Sequence, residues 1–185
     1  MNLIVGVAPF ILFTLLSRLS VDLALWVAFA AAFVVTIRDF VESPSLRLLD
    51  AGSFLLFAIL ALGRGFLDPN LSLAVVRFIA SISLLLLLGL PLAFKRPFSV
   101  DYARLDPREA GWPPALFLKV NYLVSGAWTA AFAIMALADG AVAFDAQLPL
   151  YASIAASVVV LAAVVNFTLR YPAHAAKKAS PGGQK

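Results

Sequence analysis

Charged and polar side chains inside long apolar runs are the residues of this chain best placed to do chemistry. Arg77 lies six residues into the apolar run Leu71–Phe94. An arginine at membrane depth is rare and often functional, whereas a long basic side chain near a helix end usually extends to the membrane surface. We expect Arg77 to extend to that surface or to pair with Asp68. A functional charge inside the membrane is the alternative.

A second polar set shares one helix face. Asn121, Ser125 and Thr129 are spaced by four residues in the run Ala115–Ala138. Asn166, in the last apolar run, is expected to pair with Asn121 in the same layer. Because small and hydroxyl side chains favour close contact between membrane helices, this spacing predicts packing of the last two runs. The alternative is that these side chains line a transport path.

Opposite charges four residues apart flank two predicted turns. Arg18 precedes Asp22, and Arg64 precedes Asp68, by one helical turn in each case. Residues one helical turn apart can meet, so each couple is a candidate ion pair. For Arg18 and Asp22 the alternative is an ordinary solvated turn.

The common catalytic and metal-binding motifs are absent. The chain has no cysteine, and its single histidine, His174, follows the last apolar run. HExxH, GxxxxGK and GxGxxG do not occur. No set of a nucleophile, a base and an orienting group falls inside the apolar runs. The sequence therefore predicts a protein that is not an enzyme, with no catalytic residue, metal site or cofactor.

The composition is that of an integral membrane protein. The chain of 185 residues is 63% hydrophobic and 13% charged, with a mean hydropathy of +0.97. Soluble domains are about half apolar and about a quarter charged. The isoelectric point near 9.7 could indicate nucleic-acid binding. However, the basic residues stand beside the apolar runs, which is how membrane orientation is encoded, so no nucleic-acid partner is expected.

Six apolar runs approach the roughly 20 residues that a membrane-spanning helix needs. They are Asn2–Ser17, Val21–Ile37, Ala51–Leu67, Leu71–Phe94, Ala115–Ala138 and Leu148–Arg170. Lipid cannot satisfy backbone polar groups, so each run should be helical. Because the first run is short, the sequence predicts an all-α bundle of five or six transmembrane helices. We expect one domain over 1–172 and a disordered cytoplasmic tail over 173–185.

Basic residues are distributed unequally between the two sides of this predicted bundle. If the connection before Leu71–Phe94 is external, all basic residues except Arg18, Arg64 and Arg77 lie on the cytoplasmic side. The connection 139–147 contains no lysine or arginine. The positive-inside rule therefore predicts a cytoplasmic C-terminus.

The longest polar stretch, KRPFSVDYARLDPREAGWPP at 95–114, is predicted to lie on the membrane surface. Ser99 is a suitable helix cap, and Phe98, Tyr102 and Leu105 fall on one face of the helix that would follow. This pattern predicts a short amphipathic helix in the membrane interface. The opposite face would meet water or another protein. The candidate lipid or partner contacts are Lys95, Arg96, Phe98, Tyr102, Arg104, Arg108 and Trp112.

Three stretches also carry a family resemblance. They are the proline-containing start VAPFILF at 7–13, the segment KRPF at 95–98, and the Lys-x-Asn opening KVN at 119–121. In these features the chain resembles the intracellular septation protein A family of bacterial inner-membrane proteins, over about residues 3–144. The resemblance implies a role in envelope upkeep and septation, exerted through other membrane proteins.

Two functions are therefore carried forward. The first is a non-enzymatic scaffold of the bacterial inner membrane that contacts lipids and proteins of the envelope or division machinery. The second is a small transporter or channel, for which Arg77, Asn121 and the Ser/Thr faces would line the path. Homo-oligomers are compatible with both.

Overall fold

A computed structural model describes residues 2–42, 47–104, 111–145 and 147–179, and all regular secondary structure within these ranges is helical. The helices are α1 (Asn2–Leu16), α2 (Val21–Glu42), α3 (Leu48–Leu62), α4 (Leu73–Ala93), α5 (Ser99–Ala103), α6 (Pro114–Phe144) and α7 (Leu150–Ala179). A π-helical turn, Gly63–Leu67, extends α3. The predicted all-α bundle is confirmed.

Five of the described helices are long and apolar enough to cross a membrane, and the protein is membrane-embedded. They are α2, α3 with its π-helical turn, α4, α6 and α7. Their outward faces carry exposed leucine, valine and phenylalanine side chains, as a lipid-facing surface does.

The helices run in alternating directions between two ends of the bundle. We call the end that carries α5 the α5 end, and the opposite end the far end. Asp39 at the C-terminal part of α2 contacts Arg47 just before α3, and Tyr102 of α5 bonds Asp50 at the start of α3. The end of α2 and the start of α3 therefore lie at the α5 end. Helix α4 ends and α6 begins beside α5, so the start of α4 and the end of α6 lie at the far end. There Arg77 of α4 contacts Asp139 of α6.

Helix α1 lies inside the bundle rather than at its edge. Its 15 residues span about 22 Å at 1.5 Å per residue, less than the bilayer core of about 30 Å. It nevertheless connects the two ends, because Gly6 lies against Tyr102 at the α5 end and Ser17 bonds Arg77 at the far end. A Cβ on Gly6 would come 2.9 Å from the Tyr102 hydroxyl, so this close approach requires glycine.

Aromatic rings fill the space around α1. The Phe10 and Phe132 rings meet edge to face with centroids 4.9 Å apart, and Phe13 meets Phe57 at 5.7 Å. All four rings are buried. Aromatic pairs of this kind contribute about 0.5–1.5 kcal/mol beyond their buried area. They therefore hold α1 against α3 and α6.

Three helices continue past the C-terminal ends that the hydropathy of the sequence predicted. Helix α2 continues through Glu42, five residues beyond the predicted end at Ile37. Helix α6 continues through Phe144, so residues 139–144 are helical and not part of a connection. Helix α7 continues through Ala179, past the predicted domain boundary at residue 172. The tail beyond it, 180–185, lies outside the described residues.

The alternating directions can be tested by labelling, because the chain has no native cysteine. Single cysteines at Leu19 and Asp145 should react with a membrane-impermeant reagent from one side of the membrane. Cysteines at Arg104 and Lys177 should react only from the other side. All four positions are exposed. Labelling of Leu19 and Arg104 from the same side would contradict the passage of α2, α3 and α4 in alternating directions between the two ends.

Candidate functional site

Arg77 is buried among polar groups at the far end. Its side chain is 2% exposed and that of Asp139 is 1% exposed. The guanidinium donates from Nε to Asp139 Oδ1 at 3.0 Å, and its Nη2 lies 2.9 Å from the same oxygen. The hydroxyl of Ser81 donates to Asp139 Oδ2 at 2.7 Å. Both carboxylate oxygens are therefore hydrogen-bonded, as a buried charge requires.

Two further hydroxyl groups complete the guanidinium shell. Arg77 Nη2 donates to Ser157 Oγ at 2.8 Å, and Nη1 donates to Ser17 Oγ at 3.3 Å. Ser17 follows α1, and Ser157 lies on α7. One side chain of α4 thus joins α1, α6 and α7. We call Ser17, Arg77, Ser81, Asp139 and Ser157 the far-end cluster.

The predicted environment of Arg77 is therefore wrong. The side chain neither extends to the surface nor pairs with Asp68. Its partner is Asp139, which the apolar pattern placed in a connection because a charge ended the run there. In the structure the helix passes through that charge, and the ion pair neutralises it inside the bundle.

A second ion pair at the far end is solvent-accessible. Arg64 Nε donates to Asp22 Oδ1 at 2.7 Å, and the Asp22 side chain is 62% exposed. Arg64 also donates to the carbonyl of Leu71. The couples expected from helical spacing, Arg18 with Asp22 and Arg64 with Asp68, are thus replaced by a contact between α2 and the π-helical turn. Exposed pairs of this kind contribute about 0–1 kcal/mol.

The α5 end contains a buried charge cluster that the sequence did not indicate. Asp39, Arg47 and Asp50 are all buried. Arg47 Nη1 contacts Asp39 Oδ2 directly and lies 3.8 Å from Asp50 Oδ2. The half-exposed Arg38 donates from Nε to Asp39 Oδ1 at 2.9 Å. Arg47 had been predicted as a connecting charge that reports orientation, yet its side chain points into the bundle.

Tyr102 links this cluster to α5. Its hydroxyl donates to Asp50 Oδ1 at 2.7 Å, and the Arg47 guanidinium lies 4.8 Å from the centre of its ring. Burial, reinforced by the Asp50 carboxylate, raises the pKa of the Tyr102 phenol far above its ordinary value of 10.0. We call Asp39, Arg47, Asp50 and Tyr102 the α5-end cluster.

A hydroxyl and amide network fixes the other side of α5. Ser99 Oγ donates to Asn121 Oδ1 at 2.7 Å, and Ser125 Oγ donates to Ser99 Oγ at 3.0 Å. The side-chain amide nitrogen Nδ2 of Asn121 donates to the backbone carbonyl of Phe117 at 2.9 Å. The polar face of α6 therefore packs against α5. The last two helices do pack together as predicted, but Asn121 and Ser125 bond α5 rather than α7. Ser99 bonds across to α6 and does not cap α5.

The predicted pairing of Asn166 with Asn121 is also wrong. Trp128 Nε1 donates to Thr168 Oγ1 at 3.0 Å, and Arg77 bridges Asp139 and Ser157, so both contacts set the same antiparallel register between α6 and α7. In that register Asn166 lies about 13 Å along the axis from the level of Asn121. Asn166 is exposed.

Thr129 bonds its own helix. Its hydroxyl donates to the carbonyl of Ser125 at 2.9 Å, and its methyl group faces Gly89 of α4. A Cβ on Gly89 would lie 3.3 Å from that methyl group. This residue therefore belongs to the packing of α4 on α6.

The polar stretch divides into a buried face and an exposed face. Phe98 and Tyr102 are buried inside the bundle, so the predicted membrane-facing underside is wrong. Trp112 is partly buried against the core. Exposed in this region are Lys95, Arg96, Asp101 and Arg104. Arg108 and Leu105 lie outside the described residues.

Within the described ranges, no three histidine, cysteine or acidic side chains come together as metal ligands would. Comparisons of the chain with protein-family models, with curated proteins and with solved structures give no match. The family resemblance noted in the sequence therefore stays a prediction.

The far-end ion pair predicts a strong, coupled effect on stability. Arg77→Leu or Asp139→Leu alone should lower the free energy of unfolding by about 3–5 kcal/mol, because each leaves an uncompensated buried charge. The double variant should lose much less than the sum of the two, as measured by unfolding in detergent. Asp22→Asn, which alters the exposed pair, is the matched control and should change stability by less than about 1 kcal/mol. Additive losses in the double variant would show that the pair is not coupled.

Tyr102 predicts a pH-dependent stability. The native protein holds the Tyr102 phenol proton more tightly than the unfolded chain does. The stabilisation that Tyr102 contributes is therefore complete below pH about 10 and is lost as pH rises further. In alkaline titrations followed by phenolate absorbance, folded wild type and folded Tyr102→Phe should give equal signals. Unfolding at the same alkaline pH should then ionise one additional phenol and raise the phenolate absorbance, in the wild type only. A lower signal in the folded variant would show that Tyr102 ionises in the native state.

Proposed function

We propose that this protein is a non-enzymatic scaffold of the bacterial cytoplasmic membrane that binds other membrane proteins of envelope maintenance or septation. The observation that carries the proposal is the fixation of α5. Ser99 and Tyr102 anchor this short helix to α6 and α3, while Asp101 and Arg104 on its other side remain exposed. A charged surface with a fixed position needs little ordering when a partner binds, which favours affinity.

The distribution of exposed basic residues supports one orientation of the bundle. Lys95, Arg96, Arg104 and Lys119 are exposed near the α5 end. At the far end, Arg18 is exposed, whereas Arg64 and Arg77 are each held in an ion pair. The positive-inside rule therefore favours a cytoplasmic α5 end, and with it a cytoplasmic C-terminus.

The sequence resemblance to the intracellular septation protein A family supports the same assignment. It supplies the biological setting, whereas the fixed α5 surface supplies a physical means of contact. Copies of the protein itself remain compatible with this surface as partners.

The transport alternative draws less support from the described geometry. The side chains that would line its path direct their polar groups to protein partners. Arg77 bonds Asp139 and two serine hydroxyl groups, and Asn121 bonds Ser99 and its own helix. Asn166 is far from both in the register of α6 and α7.

In-cell photo-cross-linking tests the scaffold function. A photoreactive amino acid at Asp101 or Arg104 should capture a protein of the envelope-synthesis or division machinery. The same group at Leu137, which is 75% exposed on the apolar surface of α6, is the control and should capture lipid. Depletion of the protein should alter cell shape or division, and Arg104→Glu should fail to restore it.

Two results would contradict the proposal. Adducts from Asp101 and Arg104 that contain only lipid would show that the α5 surface faces the membrane. Full complementation by Arg104→Glu would show that the charged α5 surface does not carry the function, which would favour the transport alternative.

A further inference from the structure

The end of α4 adopts a backbone conformation that is unfavourable for the residue it contains. Arg96 N–H donates to the carbonyl of Pro91 at 2.8 Å, and Lys95 N–H donates to that of Leu92 at 3.0 Å. This pair of bonds is the Schellman motif, whose left-handed position is usually glycine. Here that position is Lys95, with φ at 59°. Among the described non-glycine residues, no other has a positive φ.

Lysine at this position stabilises the helix end less well than glycine would. A Cβ in the left-handed region clashes with the following carbonyl oxygen, and lysine has no short polar group to compensate. Backbone strain of this kind clusters at functional sites such as ligand clamps. The side chain of Lys95 is exposed, so a ligand that contacts it would lie outside the bundle.

The position of Lys95 is fixed by a contact with α6. The hydroxyl of Tyr122 donates to the carbonyl of Lys95 at 2.6 Å. Lys119 precedes Tyr122 by three residues, so it lies on the same face of α6, one turn closer to the helix start. Arg96 follows Lys95 directly, and all three basic side chains are exposed. The structure therefore gathers three cations where α4 ends and α6 begins.

A stripe of exposed apolar side chains runs along α4, from these cations toward the middle of the helix. Leu86, Leu90 and Phe94 are spaced by four residues and are 51%, 54% and 76% exposed. Residues at this spacing lie along one face of a helix. A ligand that met both features would need an anionic head and a long apolar chain.

We propose that Lys95, Arg96 and Lys119 bind the headgroup phosphate of an anionic phospholipid, with one acyl chain along Leu86, Leu90 and Phe94. A soluble phosphate would use only the cations. An acidic protein segment would leave the apolar stripe without a partner. The phospholipid matches both the charge of the cations and the exposed apolar face beside them.

Three variants of the full chain in neutral detergent separate the backbone effect from the charge effect. Lys95→Gly removes the charge and the strain, Lys95→Gln removes the charge and keeps the strain, and Arg18→Gln removes an exposed charge at the far end. In detergent alone, Lys95→Gly should raise the melting temperature by on the order of 2 °C, whereas Lys95→Gln should not.

Added phosphatidylglycerol should raise the melting temperature of the wild type more than phosphatidylcholine does. Both Lys95 variants should require roughly fivefold more phosphatidylglycerol for half of the full shift, as expected for one basic group at an anionic surface. Arg18→Gln should respond as the wild type does.

An unchanged response of Lys95→Gln to phosphatidylglycerol would overturn the proposal. So would an equal shift from inorganic phosphate or glycerol phosphate at the same concentration, since the acyl chain would then contribute nothing. If Lys95→Gly fails to raise the melting temperature in detergent alone, lysine is not retained against a backbone cost, and the proposal loses its basis.

Discussion

The buried guanidinium of Arg77 is the constraint on which the far half of the bundle depends. A charge of this kind cannot remain unpaired in an apolar interior, where removing it from water costs several kcal/mol. Asp139 must therefore reach it from α6, and Ser17 and Ser157 must reach it from the end of α1 and from α7. Four segments can satisfy this requirement together only in one register. The apolar surfaces of the helices, which could slide along one another, do not supply such a restriction by themselves.

The α5-end cluster also constrains the positions of the helices that contact it, but less strongly than the far-end cluster does. Arg47 and Asp39 are in direct contact, yet within the described part of the chain Arg47 Nη2 and Asp50 Oδ2 have no hydrogen-bond partner. Tyr102 ties α5 to this cluster, and Gly6 brings α1 up to it. A helix too short to cross a bilayer alone is thus held between two polar layers, with its aromatic side chains buried between them. The fixed position of α5, on which the proposed scaffold function rests, is a consequence of the same layer.

Hydropathy predicted the approximate positions of the six long helices because the cost of exposing backbone to lipid leaves few alternatives. It failed at Asp139 and Arg47 for one reason. A charge ends an apolar run when each residue is assessed separately, whereas two opposite charges can stay inside together. The amphipathic pattern of Phe98 and Tyr102 was read correctly as one apolar face. However, lipid and the protein interior both favour contact with an apolar face, so the pattern could not distinguish between these two environments. Spacing by four likewise showed that Asn121 and Ser125 share a face, but not that α5 would cover it.

The central claim is tested most directly by disulfide cross-linking that measures the register between α4 and α6. This register brings Arg77 into contact with Asp139. A Cβ added to Gly89 would lie 3.3 Å from the Thr129 methyl group, so cysteines at these two positions are within reach of a disulfide. In membranes, the double variant Gly89→Cys/Thr129→Cys should form this disulfide rapidly under mild oxidation. The pair Gly89→Cys/Ala133→Cys, shifted by one helical turn, should not. Efficient cross-linking of the shifted pair, with none between positions 89 and 129, would contradict the pairing of Arg77 with Asp139 and the architecture built on it.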